Sequence, residues 1–171
     1  MLITDCKPLA GVINGETVLS EPSLAPMFER ITRNIFSMFQ SDWRPARDID
    51  DMVRWQQRAW NVRADYLVNY TMESRRSWYQ SGRISTEDLA NANFLVHTDG
   101  GTRAGTCSAA AWCIEAVVCK GAYAVTTTIV IAGTFISDPI SSFTAESIAL
   151  DEAVEAVRKL TLEIGSRPSN M

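Results

Sequence analysis

The chain has 171 residues, 46% of them hydrophobic, and a formal net charge of -4 with a single histidine. That length and hydrophobic content fit one domain with a sizeable core and exclude disorder of the whole. The acidic balance excludes a molecule-wide basic field, so any contact with nucleic acid must come from a local patch drawn from thirteen arginines and three lysines. Cys6, Cys107, Cys113 and Cys119 include no C-x-x-C pair and have no histidine cluster beside them, which reads as free thiols in a reducing compartment rather than a zinc site or disulfides. Residues 1–5 lack the basic start and apolar core of a secretory signal, and no segment holds the roughly 18 uninterrupted apolar residues of a membrane span. The expectation is an intracellular protein, cytoplasmic or nuclear, without a membrane span.

In chain order, residues 1–47 read as an irregular segment and a short helix. Asn14-Gly15, flanked by Val12-Ile13 and Thr17-Val18, suits the tight turn of a small hairpin. Phe28, Ile31, Ile35 and Met38 then recur at helical spacing. Trp43, Pro45 and Arg47 form a linker. Asp48, Asp50 and Asp51 mark an acidic helix start, and Met52, Trp55, Ala59, Val62, Tyr66 and Tyr70 continue as an apolar series, which predicts one long helix to about Gly82. Arg54, Arg58, Arg63, Arg75 and Arg76 lie along it among Trp60, Trp78 and Tyr79. Such a mixture either grips a phosphate backbone and stacks on bases or forms a solvated face over an aromatic core. Residues 48–92 are thus an arginine- and aromatic-rich helical extension, closed by a short turn of helix after Ser85.

From Asn93 the pattern turns to strands. Phe94–Thr98, Ala109–Cys119 and Tyr123–Ile136 predict three of them, with Trp112, Ile114, Ala116 and Val118 on one face and Lys120-Gly121-Ala122 as a hairpin. The stretch from Phe143 to Ile164 carries apolar residues at 150, 153, 154, 157, 160 and 164, a helix stopped by Gly165 and Pro168, and residues 166–171 are a polar tail. Two carboxylates stand out. Asp99 ends the first strand before two glycines, with room to face a cation or phosphate, and Glu146 sits in the first turns of the last helix.

Leu95-Val96-His97-Thr98-Asp99-Gly100-Gly101 and Thr144-Ala145-Glu146-Ser147-Ile148-Ala149-Leu150 resemble the strand-Asp-Gly-Gly opening and the Ala-Glu-x-x-Ala-Leu helix of the ribonuclease H family, found beside reverse transcriptases in retroelements. The resemblance covers residues 93 to 162. It implies a partial ribonuclease H-like fold over residues 93–165: an α/β unit with a three-stranded antiparallel sheet backed by a helix, and an all-helical N-terminal extension. It further implies Mg²⁺-dependent hydrolysis of the RNA strand of RNA–DNA hybrids, with Asp99 and Glu146 as catalytic metal ligands. Gly100 and Gly101 would admit the hybrid closely, and Thr102 and Arg103 would contact its phosphates. The family's third carboxylate, at the end of a further strand, and its fourth acidic residue, near a later helix, have no counterpart after residue 165. Asp138 and Asp151 do not replace them. Catalysis is therefore expected to be weak or absent. The competing expectation is a noncatalytic assembly subunit whose half-sheet, lacking parallel partner strands, pairs its open edge with another protein.

Overall fold

The computed structural model describes residues 1–39 and 53–165. It is α/β, built on a six-stranded mixed sheet. The elements in chain order are β1 (Leu2–Thr4), α1 (Lys7–Ile13), α2 (Ala25–Phe39), β2 (Val53–Trp55), α3 (Val62–Ser74), β3 (Trp78–Ser81), α4 (Thr86–Ala90), β4 (Asn93–Arg103), β5 (Cys107–Lys120), β6 (Tyr123–Ile136) and α5 (Ser142–Gly165). Across the sheet the order is β2-β1-β4-β5-β6-β3, with β1 parallel to both β2 and β4 and every other pair antiparallel.

The expected meander of three strands followed by a helix is present, and so are the Ser85 cap and the helix over residues 27–39. The sheet, however, is not three-stranded. Residues 2–4 and 53–55 supply the two parallel strands expected to be missing, because the short runs Leu2-Ile3-Thr4 and Val53-Arg54-Trp55 find partners far along the chain. The edge of β4 is therefore covered by β1, and the edges of the sheet are β2 and β3 instead of the unfilled half-sheet on which the assembly-subunit expectation was built.

The N-terminal extension is not all-helical either. Asn14-Gly15 does not make a hairpin: Gly15, at φ 74°, ends α1 while the Glu16 and Thr17 N–H groups donate to the Gly11 carbonyl. Within the described part of 48–92 the long helix is reduced to α3, since pairing with β1 and with β6 overrides helical spacing at Val53–Trp55 and Trp78–Ser81. The apolar series was also read on the wrong face. Val62, Tyr66 and Tyr70 are exposed, whereas α3 buries Ala64, Leu67, Val68, Thr71 and Met72. The expected linker at Trp43, Pro45 and Arg47, the acidic start at Asp48, Asp50 and Asp51, and the tail 166–171 lie outside the described residues.

Both faces of the sheet are covered, so β5 is buried on alternate residues in each direction. Trp112, Ile114 and Ala116 join Leu150, Ala153, Val154 and Val157 of α5 and Ile31 and Ile35 of α2 on one side. Cys107, Ala109, Ala111 and Cys113 meet Leu67, Val68 and Met72 of α3 on the other. The small side chains of β5 let both helices come close, which sets the start of α5 and the start of α3 near the same end of β4. All four cysteines are free: Cys107 and Cys113 are buried, Cys6 is half-buried and Cys119 is exposed.

Candidate metal centre

β1 and β4 run side by side in register, Leu2 to Val96, Ile3 to His97 and Thr4 to Thr98. The next residue on each is an aspartate, so Asp5, just past the end of β1, lies level with Asp99, which does not end its strand as expected but sits inside β4, paired with Ala111, because the β4–β5 ladder continues to Arg103. The threonines before them are alike in burial: Thr4 and Thr98 are both fully buried, Thr98 Oγ1 donates to the Ile3 carbonyl, and Thr4 Oγ1 accepts from the Cys6 N–H.

α5 brings in the third carboxylate. Ser141 Oγ accepts from the Thr144 N–H at 3.0 Å, capping the helix, and the Glu21 carboxylate accepts from the Ser141 and Thr144 hydroxyls, where the helix dipole favours a negative charge. One turn further, Glu146 lies over β4. A Cβ at Gly100 would stand 2.2 Å from the Glu146 nitrogen and 2.3 Å from the Ala145 carbonyl carbon. Only glycine lets the helix backbone seat there.

Asp5, Asp99 and Glu146 consequently present one carboxylate oxygen each within 4.8 Å of one another. Asp99 is 2% exposed and Glu146 7%. The Gly100 N–H donates to Asp99 Oδ1 at 2.9 Å and also faces the Glu146 carboxylate. Asp99 and Glu146 stand close enough to share a proton, and apart from it Asp99 Oδ2 and Glu146 Oε2 have no hydrogen-bond partner among the described residues. Burial foremost, and then the neighbouring carboxylates, push Asp99 and Glu146 well above the usual carboxylate range. The Arg58 guanidinium acts against this at Asp99.

The start of α3 completes the surroundings. Asn61, fully buried, donates from Nδ2 to Asp5 Oδ1 at 3.0 Å and to the Thr98 carbonyl at 2.9 Å, tying the carboxylate of β1 to the backbone of β4. Its position just before α3 reads as a helix cap, yet the amide is committed to the site. Asp65, in the first turn of α3, is held by Arg58 Nε at 3.1 Å and adds to the negative potential felt by Asp99.

Of the residues singled out in the sequence, Asp99 and Glu146 come together. Gly100 and Gly101 are packing positions, the first against α5 and the second against Val68 and Met72 of α3. Thr102 accepts from Ser108 Oγ inside the β4–β5 hairpin, and Arg103 pairs with Glu73 at 3.4 Å. At about 3.3 Å per strand residue Arg103 is roughly 13 Å along β4 from Asp99, a phosphate or two away from the acidic cluster. Asp151 is held by Arg30 at 2.6 Å. Sequence reading missed Asp5, Asn61 and Asp65. The repeated Thr-Asp at 4–5 and 98–99 was the available signal.

The shifts carry a sign that can be measured. Asp99 and Glu146 hold protons in the folded state that they would release in the unfolded chain above about pH 4, so without metal the stability they confer is full below that pH and is lost as pH rises through their raised values. Denaturant unfolding in EDTA is expected to show stability falling with pH toward neutrality, with a shallower fall in Glu146→Gln. Identical pH slopes in the two proteins would contradict the crowding.

No family model matches the chain, and no curated protein or solved structure matches it.

Proposed function

We propose that the protein is a ribonuclease H-like, metal-dependent nuclease in which Asp5, Asp99 and Glu146 hold Mg²⁺ and the RNA strand of an RNA–DNA hybrid is the substrate. The observation that carries this reading is the convergence of three carboxylates from β1, β4 and α5 within 4.8 Å. Oxygens around one octahedral Mg²⁺ at about 2.1 Å stand about 3 to 4.2 Å apart, so the cluster needs only a small contraction to close on an ion. The donors are hard oxygens, and Asp99 Oδ2 and Glu146 Oε2 are buried with no hydrogen-bond partner among the described residues beyond each other, a costly arrangement that a cation relieves.

The family's third carboxylate ends a strand, and Asp5 ends β1, which lies parallel to β4. We assign the part of the fourth acidic residue to Asp65 at the start of α3, because its charge acts on Asp99. Both precede the Asp99 and Glu146 motifs in the chain instead of following them, so on this reading the order of the acids along the polypeptide is rearranged relative to the family.

Bound Mg²⁺ supplies Lewis-acid stabilisation of a phosphoryl oxygen and lowers the pKa of water. The chain's own contribution is rigidity and placement. Asn61 fixes Asp5, the capped start of α5 fixes Glu146, the Gly100 N–H orients Asp99, and Arg58 moderates the charge around Asp65 and Asp99.

Incubation of the full chain with a labelled RNA–DNA hybrid and Mg²⁺ or Mn²⁺ tests the proposal. Internal cleavage of the RNA strand, abolished by EDTA, is the expected result. An intact hybrid in both metals, in protein that calorimetry shows to bind no Mn²⁺, would overturn it.

A further inference from the structure

β2 is an edge strand, and its last residue, Trp55, lies against the acidic cluster without belonging to it. The indole Nε1 donates to the Asp5 carbonyl at 3.0 Å, which sets the orientation of the ring beside the residue whose side chain enters the cluster. Trp55 is nonetheless 43% exposed. The Lys7 ammonium, at the first position of α1 and two residues beyond Asp5, lies 5.8 Å from the ring centroid.

A large aromatic surface left open at a strand end costs hydration free energy, and here it is held in place by main-chain hydrogen bonding instead of being folded away. A cation over it, on the residue two positions beyond Asp5, gives the combination that single-stranded nucleic acid uses: a flat ring for a base and an ammonium for the adjoining phosphate. A base pair inside a duplex keeps its faces within the stack, so the indole is open to an unpaired base and to no interior pair.

We infer that Trp55 is a stacking platform for an unpaired base next to the phosphate at the acidic cluster, with Lys7 taking the phosphate of that nucleotide. This rests on the nuclease reading and narrows its substrate class to hybrids with a single-stranded flank, such as the end of a tract or an overhang, in preference to the interior of a continuous duplex. The Lys7 side chain exchanges its place over the ring for the phosphate as the base arrives.

Fluorescence anisotropy with two probes tests the inference: a blunt RNA–DNA hybrid, and the same hybrid carrying a single-stranded RNA overhang. The titrations are run in EDTA, so that binding is read without turnover, on the full chain and on Trp55→Ala, Trp55→Phe and Lys7→Ala, each checked for folding by circular dichroism. The wild type is expected to bind the overhang probe about tenfold tighter than the blunt one. Trp55→Ala erases that ratio and Trp55→Phe, which keeps a ring but loses the donor to Asp5, retains most of it. Lys7→Ala lowers the slope of log affinity against log salt by about 0.7. Equal affinity for the two probes, an unchanged ratio in Trp55→Ala, or equal loss in the Phe and Ala variants would overturn the platform. Mn²⁺ binding, measured in parallel by calorimetry, separates this from failure of the nuclease reading: a platform that fails while Mn²⁺ still binds leaves the metal centre standing, and an overhang preference that depends on Trp55 without Mn²⁺ binding leaves the platform standing.

Discussion

Asp5→Asn is expected to weaken Mn²⁺ binding by at least about 100-fold, as severely as Asp99→Asn, and to abolish hybrid cleavage. The reasoning starts from ligand count. Loss of a residue that merely supports a ligand typically costs 10- to 100-fold in affinity, so loss of one ligand from three should cost at least the upper end of that range. Asp5 makes no other contribution large enough to mask the effect: its carboxylate accepts from Asn61, and an asparagine there keeps an acceptor for that bond. Asp151→Asn is the matching control. Asp151 lies on α5 as Glu146 does, but it is spent on Arg30, and its removal should leave Mn²⁺ affinity unchanged. Calorimetric titration with Mn²⁺ and the hybrid assay read both variants. An Asp5→Asn protein that binds Mn²⁺ as the wild type does would show that the N-terminal strand contributes only to the sheet.

Gly100→Ala is expected to be the most destabilising of the small substitutions, by about 3 kcal/mol or more, with a drop in Tm of roughly 6–12 °C. The added methyl meets backbone atoms of α5 at 2.2 and 2.3 Å, and backbone has no rotamer through which to retreat. Either the start of α5 lifts from the sheet, carrying Glu146 away from Asp99, or β4 twists and moves Asp99 instead. Both responses couple stability to the metal centre, so Mn²⁺ affinity should fall with Tm. Gly101→Ala provides the contrast. Its methyl would meet Val68 Cγ1 at 2.9 Å and Met72 Cε at 3.4 Å, side-chain termini that can move, and about 1 kcal/mol is expected. Thermal unfolding of the two variants decides the matter. Equal costs would mean that the closeness of α5 at Gly100 does not constrain the fold.

The elements legible in the sequence were the long ones with consistent periodicity. β5 and β6 each run 14 residues, β5 with alternation over Ala109–Cys119 and β6 rich in β-branched residues, and α5 repeats apolar residues at helical spacing, so the meander and its backing helix were visible together with Asp99 and Glu146. The parallel strands were not. β1 and β2 have three residues each, too few for any period to show, and their identity as strands comes from partners 94 and 51 residues away in register. Asp5 was hidden with β1. At α3 the exposed Val62, Tyr66 and Tyr70 are spaced like a core stripe, and only the tertiary placement reveals that Leu67, Val68 and Met72 face the sheet. The same misreading put Trp55 inside a helix, where its position beside Asp5 had no meaning. Asn61 and Asp65 fell in the interior of the expected long helix, and their involvement with Asp5 and Asp99 appears only once α3 is laid against β4.

A crystal of the full chain soaked in Mn²⁺, with anomalous scattering collected at the manganese edge, addresses the central claim most directly. The account predicts a peak among Asp5, Asp99 and Glu146, within about 2.1–2.3 Å of an oxygen from each of the three, and the loss of that peak in Asp5→Asn. Manganese seated elsewhere on the surface, with the three carboxylates left to share protons among themselves, would contradict it.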